Sequence, residues 1–135
     1  MGKHPVVDAG EASARALVDA VCDRRTDAIA AALAPDARMR ALLPGGPREW
    51  SGAQAIADRF AHWFGDAELE VVERDVREFG GRVRMRWMVR VRAERLGDGW
   101  RLVEQVSYVD ADASGRIAGV DLLCTGYLPE EGSDG

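Results

Sequence analysis

From Arg82 to Ala93 apolar and polar residues alternate along the chain. Side chains of a strand point to opposite faces in turn. Val83, Met85, Trp87, Val89, Val91 and Ala93 therefore share one face, and Arg82, Arg84, Arg86, Met88, Arg90 and Arg92 the other. The pattern predicts a long strand with one face in a core and the other wet or meeting a partner. Its neighbours read the same way. Glu68 to Phe79 is a strand ended by Gly80-Gly81, and Trp100 to Asp110 follows a hairpin turn at Gly97-Asp98-Gly99. Arg116 to Tyr127 follows a turn at Ala113-Ser114-Gly115. Together these form a four-stranded meander.

The first half of the chain changes period. Leu17, Val18 and Val21, with Ala14, recur at helical spacing and predict a helix over Glu11 to Arg25, after a loose arm over residues 1–9. Thr26 and Asp27 open a short helix, Asp27 to Leu33, ended by Pro35. Arg38 to Leu43 is a strand candidate, followed by a turn at Pro44-Gly45-Gly46-Pro47. Ser51, with Gln54 three residues on, has the spacing of a capping box. The helix it opens runs to about Phe64, with Gly65 at its end and an apolar stripe of Ala53, Ile56, Ala57, Phe60, Trp63 and Phe64. The expected organisation is a flexible arm over 1–10, one domain over 11–128 and an acidic, disordered tail over 129–135. The expected fold is α+β, a curved antiparallel sheet with three N-terminal helices packed on one face.

Composition narrows the function classes. The 135 residues carry a net charge of −5, with 47% hydrophobic and 30% charged residues. That balance argues against nucleic-acid binding. Lys3 is the sole lysine among the basic residues, and the abundance of alanine and arginine fits a GC-rich bacterial coding sequence. Cys22 and Cys124 form no CxxC or Cys/His cluster, Met1 to Val7 has no secretory apolar stretch, and no apolar run has the length of a membrane span. The expected location is cytoplasmic, with reduced thiols. Pro44-Gly45-Gly46-Pro47 lacks the Gly-Lys-Ser/Thr of a phosphate loop. No HExxH, carboxylate triad or Ser-His-Asp arrangement stands out, so neither metal nor cofactor is expected.

Four segments carry a resemblance. They are Asp27-Ala-Ile-Ala-Ala-Ala-Leu-Ala-Pro-Asp36-Ala37, Ser51-Gly52-Ala53-Gln54-Ala55-Ile56, Gly99-Trp100-Arg101-Leu102-Val103-Glu104-Gln105, and Asp112-Ala113-Ser114-Gly115-Arg116-Ile117. In this order and spacing, over residues 11–128, they resemble the nuclear transport factor 2-like (NTF2-like) superfamily. That superfamily includes ketosteroid isomerase and the SnoaL-like polyketide cyclases. The resemblance implies a cone-shaped pocket between sheet and helices. It places the isomerase base at Ala41, the oxyanion tyrosine at Leu17, the second acid at Ser107, and the cyclase aspartate near Leu122. None of these residues supplies the group in question, and proton abstraction needs a base within reach of the carbon acid.

The residues left in such a pocket set its character. In the register read above, Leu17, Ala41, Phe60, Trp63, Met85, Trp87, Gln105, Ser107, Val109, Leu122 and Cys124 face inward. The lining is mainly apolar, with Gln105, Ser107 and Cys124 as polar handles, which suits a small apolar ligand. Each residue also has a plain structural role open to it: satisfied buried polar groups, a small buried thiol, or aromatic core filling. Ser107, Gln105 and His62 are the weak catalytic candidates. His62 lies about 200° around its helix from Phe60 and pairs by spacing with Asp58 on the solvent side. The arginine face reads in three ways: cross-strand pairing with carboxylates such as Glu104 and Asp121, a homodimer interface, or an anion site. The leading expectation is a small-molecule-binding domain, probed against two rivals. One is an isomerase, cyclase, dehydratase or hydrolase acting on a polyketide- or terpenoid-like substrate. The other is a dimeric interaction module with a filled pocket.

Overall fold

The computed structural model describes residues 5–130, with side chains from Gly10 onward except that of Phe79. Two helices come first, α1 (Pro5–Cys22) and α2 (Thr26–Ala32), followed by strands β1 (Leu33–Leu43) and β2 (Gly46–Ser51). Helix α3 (Ala53–Phe64) precedes β3 (Glu68–Phe79), β4 (Arg82–Arg92), β5 (Arg101–Ala111), β6 (Ile117–Cys124) and the two-residue β7 (Leu128–Pro129). The sheet runs β2-β1-β6-β5-β4-β3, with β7 paired to β5. Its pairs are antiparallel except β1 with β6, which run parallel. The expected α+β architecture holds, but the sheet is mixed rather than wholly antiparallel. The meander of β3 to β6 is as the alternation implied.

Several boundaries differ for identifiable reasons. Helix α1 begins at Pro5, so the described part of the expected arm is helical; proline suits a first helical turn, where its missing N–H has no partner to lose. Residues 1–4 and 131–135 lie outside the described residues. Arg24 ends α1 in the left-handed region (φ 59°), with Arg25 N–H donating to the Ala20 carbonyl. Ser51 does not cap α3. It is the last residue of β2, paired with Arg38, and Gly52 (φ 99°) takes the cap position. Gln54 instead donates to Asp58 Oδ1 at 2.8 Å. The connection from β4 to β5 is longer than a hairpin turn. A 3₁₀ turn over Glu94–Leu96 precedes Gly97 and Gly99, and Arg101 Nη2 donates to the Leu96 carbonyl at 2.7 Å.

The inner face of the sheet and the helices share one core. Leu17, Val18 and Val21 of α1, Ile29 of α2 and Ile56, Phe60 and Phe64 of α3 meet Met39, Met85, Trp87, Val103 and Ile117 of the sheet. Strand β4 is buried at every second residue from Val83 to Val91, as the alternation required.

The outer face is a lattice of ion pairs. Arg82 bonds Asp110 and Asp121, Arg84 faces Asp75, Arg86 joins Glu73 and Glu104, Arg90 joins Glu70 and Glu130, and Arg92 meets Glu68. Aromatic rings are interleaved here too: Arg90 and Arg92 both lie over Trp100, at 4.5 and 4.7 Å. Arg40, then Arg82, holds the Asp121 carboxyl below its usual range.

Candidate functional site

At the end of the sheet where β1 and β6 finish and β5 begins lies a cavity of about 420 Å³. The chain leaves β6 at Cys124, turns through Thr125-Gly126-Tyr127, and returns as β7 against Arg101 and Leu102 of β5. This C-terminal strap forms one wall. Leu43 and Pro44 form a second, Trp63 and Phe64 at the end of α3 a third, and Val103, Gln105 and Cys124 the sheet side.

Three contacts hold the strap. Tyr127 Oη donates to the Trp63 carbonyl at 2.7 Å. Arg95 lies over the Tyr127 ring at 5.6 Å. Glu130 forms an ion pair with Arg90, which holds the Glu130 carboxyl below its ordinary value. Gly126 makes the close turn: at φ 79° it approaches Pro44 so nearly that an added Cβ would sit 2.6 Å from the proline Cγ.

The polar chemistry of the cavity centres on Gln105, which is 1% exposed. Its Oε1 accepts from Trp87 Nε1 at 3.1 Å, and its Nε2 donates to Cys124 Sγ at 3.2 Å. The same sulfur accepts from the Gly126 N–H at 3.3 Å. Thr125 Oγ1 accepts from the Glu104 N–H and donates to the Gly126 carbonyl.

The sequence-predicted lining divides in two. Trp63, Gln105 and Cys124 border this cavity. Leu17, Ala41, Phe60, Met85, Trp87, Ser107, Val109 and Leu122 are buried in the core beyond it. Ser107 is 0% exposed, and its Oγ has no hydrogen-bond partner among the described residues. Phe60 packs edge-on against Trp63 at 5.3 Å and against Trp87 at 6.0 Å, so an aromatic partition separates the two regions. His62 is exposed at the far side of α3, and its carbonyl accepts from Arg95. The strap residues were missed, since the last strand was expected to run on through Tyr127. Gly126 was the available signal, as an isolated glycine in a strand pattern marks a break.

A larger depression, about 600 Å³, lies on the outer face between β1, β2, β5 and β6. Leu42 and Leu123 are 52% and 54% exposed there. It is shallow, whereas the strap cavity is more enclosed and has a buried, oriented amide at its floor. The strap cavity is therefore the candidate site. Among the described residues no group of three or more His, Cys, Asp and Glu is placed to hold a metal ion, and no helix is long and apolar enough to cross a membrane. Cys22 and Cys124 are free thiols, and burial pushes that of Cys22 up.

These features agree with what the chain is similar to. Residues 14–120 match the SnoaL-like domain model. The chain belongs to the SnoaL-like domain family, and its fold is of the NTF2-like type. No curated protein sequence matches it. Among solved structures, a proposed isomerase from Bacillus subtilis superposes with a TM-score of 0.72 at 12% identity, covering 90% of each chain. A proposed polyketide cyclase from Xanthomonas campestris gives 0.67 at 20% identity, covering 87% of this chain and 91% of its own. An LEH-like epoxide hydrolase from M. tuberculosis gives 0.64 at 17%, covering 87% and 83%. At such identities the likeness shows the fold, and chemistry must be argued from the residues present.

Proposed function

We propose that this SnoaL-like domain binds a small, largely apolar molecule in the strap cavity, with Trp63, Gln105 and Cys124 in contact with it. One observation carries the reading: a half-enclosed, mainly apolar space of about 420 Å³ with a buried amide at its floor. A few oriented polar groups in an apolar hollow are the usual form of a small-molecule site. Phe60 and Trp87 pack behind Trp63 and Gln105, while Leu17, Ala41, Met85, Ser107, Val109 and Leu122 belong to the buried core. The two free thiols suit a reducing cytoplasm.

Native against denaturing mass spectrometry of protein purified from its own host tests the reading. A reproducible extra mass, lost on denaturation and reduced by Trp63→Ala, is expected. A clean apo protein that also excludes apolar probes would overturn it.

The outer depression supports a second role. Exposed Leu42 and Leu123 lie beside Pro47 and Val106, and the rim carries both signs, Arg40 and Arg48 with Glu49 and Asp121. An apolar centre within a rim of both signs supports this reading, because a two-fold interface meets its own copy. We read it as a homodimer interface. The arginines of β4 each face a carboxylate, which argues against a polyanion partner. Light scattering should give a dimer mass for the native chain and a monomer for Leu123→Glu; a monomer at both removes this interface.

A further inference from the structure

An indole N–H donates and cannot accept. Trp87 Nε1 is buried, and its partner is Gln105 Oε1 at 3.1 Å. Leaving that N–H unpaired in the core would cost the full desolvation of a polar group. The pairing therefore locks the Gln105 amide in one of its two orientations, oxygen toward Trp87 and nitrogen toward Cys124 and the cavity. An amide nitrogen carries two hydrogens, and one is directed at Cys124 Sγ. That sulfur is a weak acceptor already receiving the Gly126 N–H. The hydroxyl hydrogens of the wall are used elsewhere, Tyr127 Oη donating to the Trp63 carbonyl and Thr125 Oγ1 to the Gly126 carbonyl, which leaves the Gln105 amide as the side-chain donor for the cavity.

We infer that the cavity is polarised to receive an acceptor oxygen, so that its ligand is an apolar body bearing a carbonyl-type group. Trp87, though it lies outside the cavity, is the residue that fixes this preference. The inference rests on the proposed binding function and adds to it the chemical class of ligand and a positioning residue. Gln105 is the contact, and Trp87 acts through it.

A matched pair of probes tests it: 2-acetylnaphthalene, which has an acceptor oxygen, and 2-ethylnaphthalene, which has the same shape without one. Titration calorimetry should find the ketone bound about tenfold more tightly, the worth of one buried hydrogen bond. In Gln105→Met the ratio should fall to near one while the hydrocarbon still binds. The infrared carbonyl stretch of the bound ketone should lie lower in the native protein than in Gln105→Met. Trp87→Phe, which frees the amide to turn, should reduce the ratio while leaving Gln105 in place. Should Trp87→Phe fail to fold, Gln105→Met and the infrared shift decide the matter. Equal binding of both probes, or a ratio unchanged in Gln105→Met, overturns the inference and leaves the cavity reading standing. Failure of both probes to bind overturns the cavity reading, and this inference with it.

Discussion

Gln105 and Ser107 are two residues apart on one strand, on the same face, and almost equally buried, yet they sit in different surroundings. Around Ser107 the cone is filled. Met85 and Leu122 flank it across the sheet, and Leu17 and Val21 of α1 belong to the same core. Around Gln105 there is open space: the end of α3 forms one wall, and another is a strap of loop residues with a two-residue ladder. Ser107 Oγ has no hydrogen-bond partner among the described residues, whereas the Gln105 amide has two. Burial alone thus does not mark a site. What distinguishes one is space beside a polar group whose orientation is already settled.

The contrast between filled core and open end can be broken by mutation. The largest effect belongs to Trp87→Ala. It removes a 1%-exposed ring and its hydrogen bond to Gln105, and denaturant unfolding should show a loss of about 3–5 kcal/mol. Trp63→Ala at the cavity should cost markedly less and reveal itself in weaker probe binding; equal losses would erase the distinction. Next comes Tyr127→Phe, which removes the hydroxyl clip to Trp63 and should cost about 1 kcal/mol. Faster probe exchange should accompany it, and unchanged exchange would mean the strap does not limit entry.

Ser107→Ala sharpens the other side. Deleting a buried hydroxyl without a partner should leave stability unchanged or raise it by up to about 1 kcal/mol. A clear loss would mean that Ser107 has a partner in solution, such as a buried water. The smallest effect is a pH dependence of the strap. Arg90 depresses the Glu130 carboxyl below its unfolded value. Its contribution is therefore complete above the ordinary glutamate range and fades as pH falls through the lower folded value. Melting curves of native protein and Glu130→Gln should differ near neutrality and converge in acid; a constant difference would rule out the ion pair as its cause.

The alternation of Arg82 to Arg92 made β4 legible, and Gly80-Gly81 marked the end of β3 where the structure has it. The inward set Val103, Gln105, Ser107 and Val109 was readable because a period of two leaves little choice once one face is apolar. Strand β2 was not readable. Five of its six residues are polar, glycine or proline, and none is buried, so no period betrays it. Nor could local pattern show that β1 lies beside β6, since that pairing joins segments about eighty residues apart. The cavity escaped for a related reason. Face assignments say which side chains point inward, not whether Phe60, Met85 and Trp87 fill the space they point into. The strap depends on single contacts, Tyr127 to Trp63 and Glu130 to Arg90, that have no periodic signature.

Five of the eleven residues that border the cavity, Pro44 and Thr125 to Leu128, lie outside the set of buried core residues. Substitutions there change the shape of the hollow while the packed half of the cone keeps the domain folded. Heritable variation in the shape of the hollow is thereby uncoupled from variation in whether the domain folds. A lineage built on this plan is free to reshape its cavity at small risk to its scaffold.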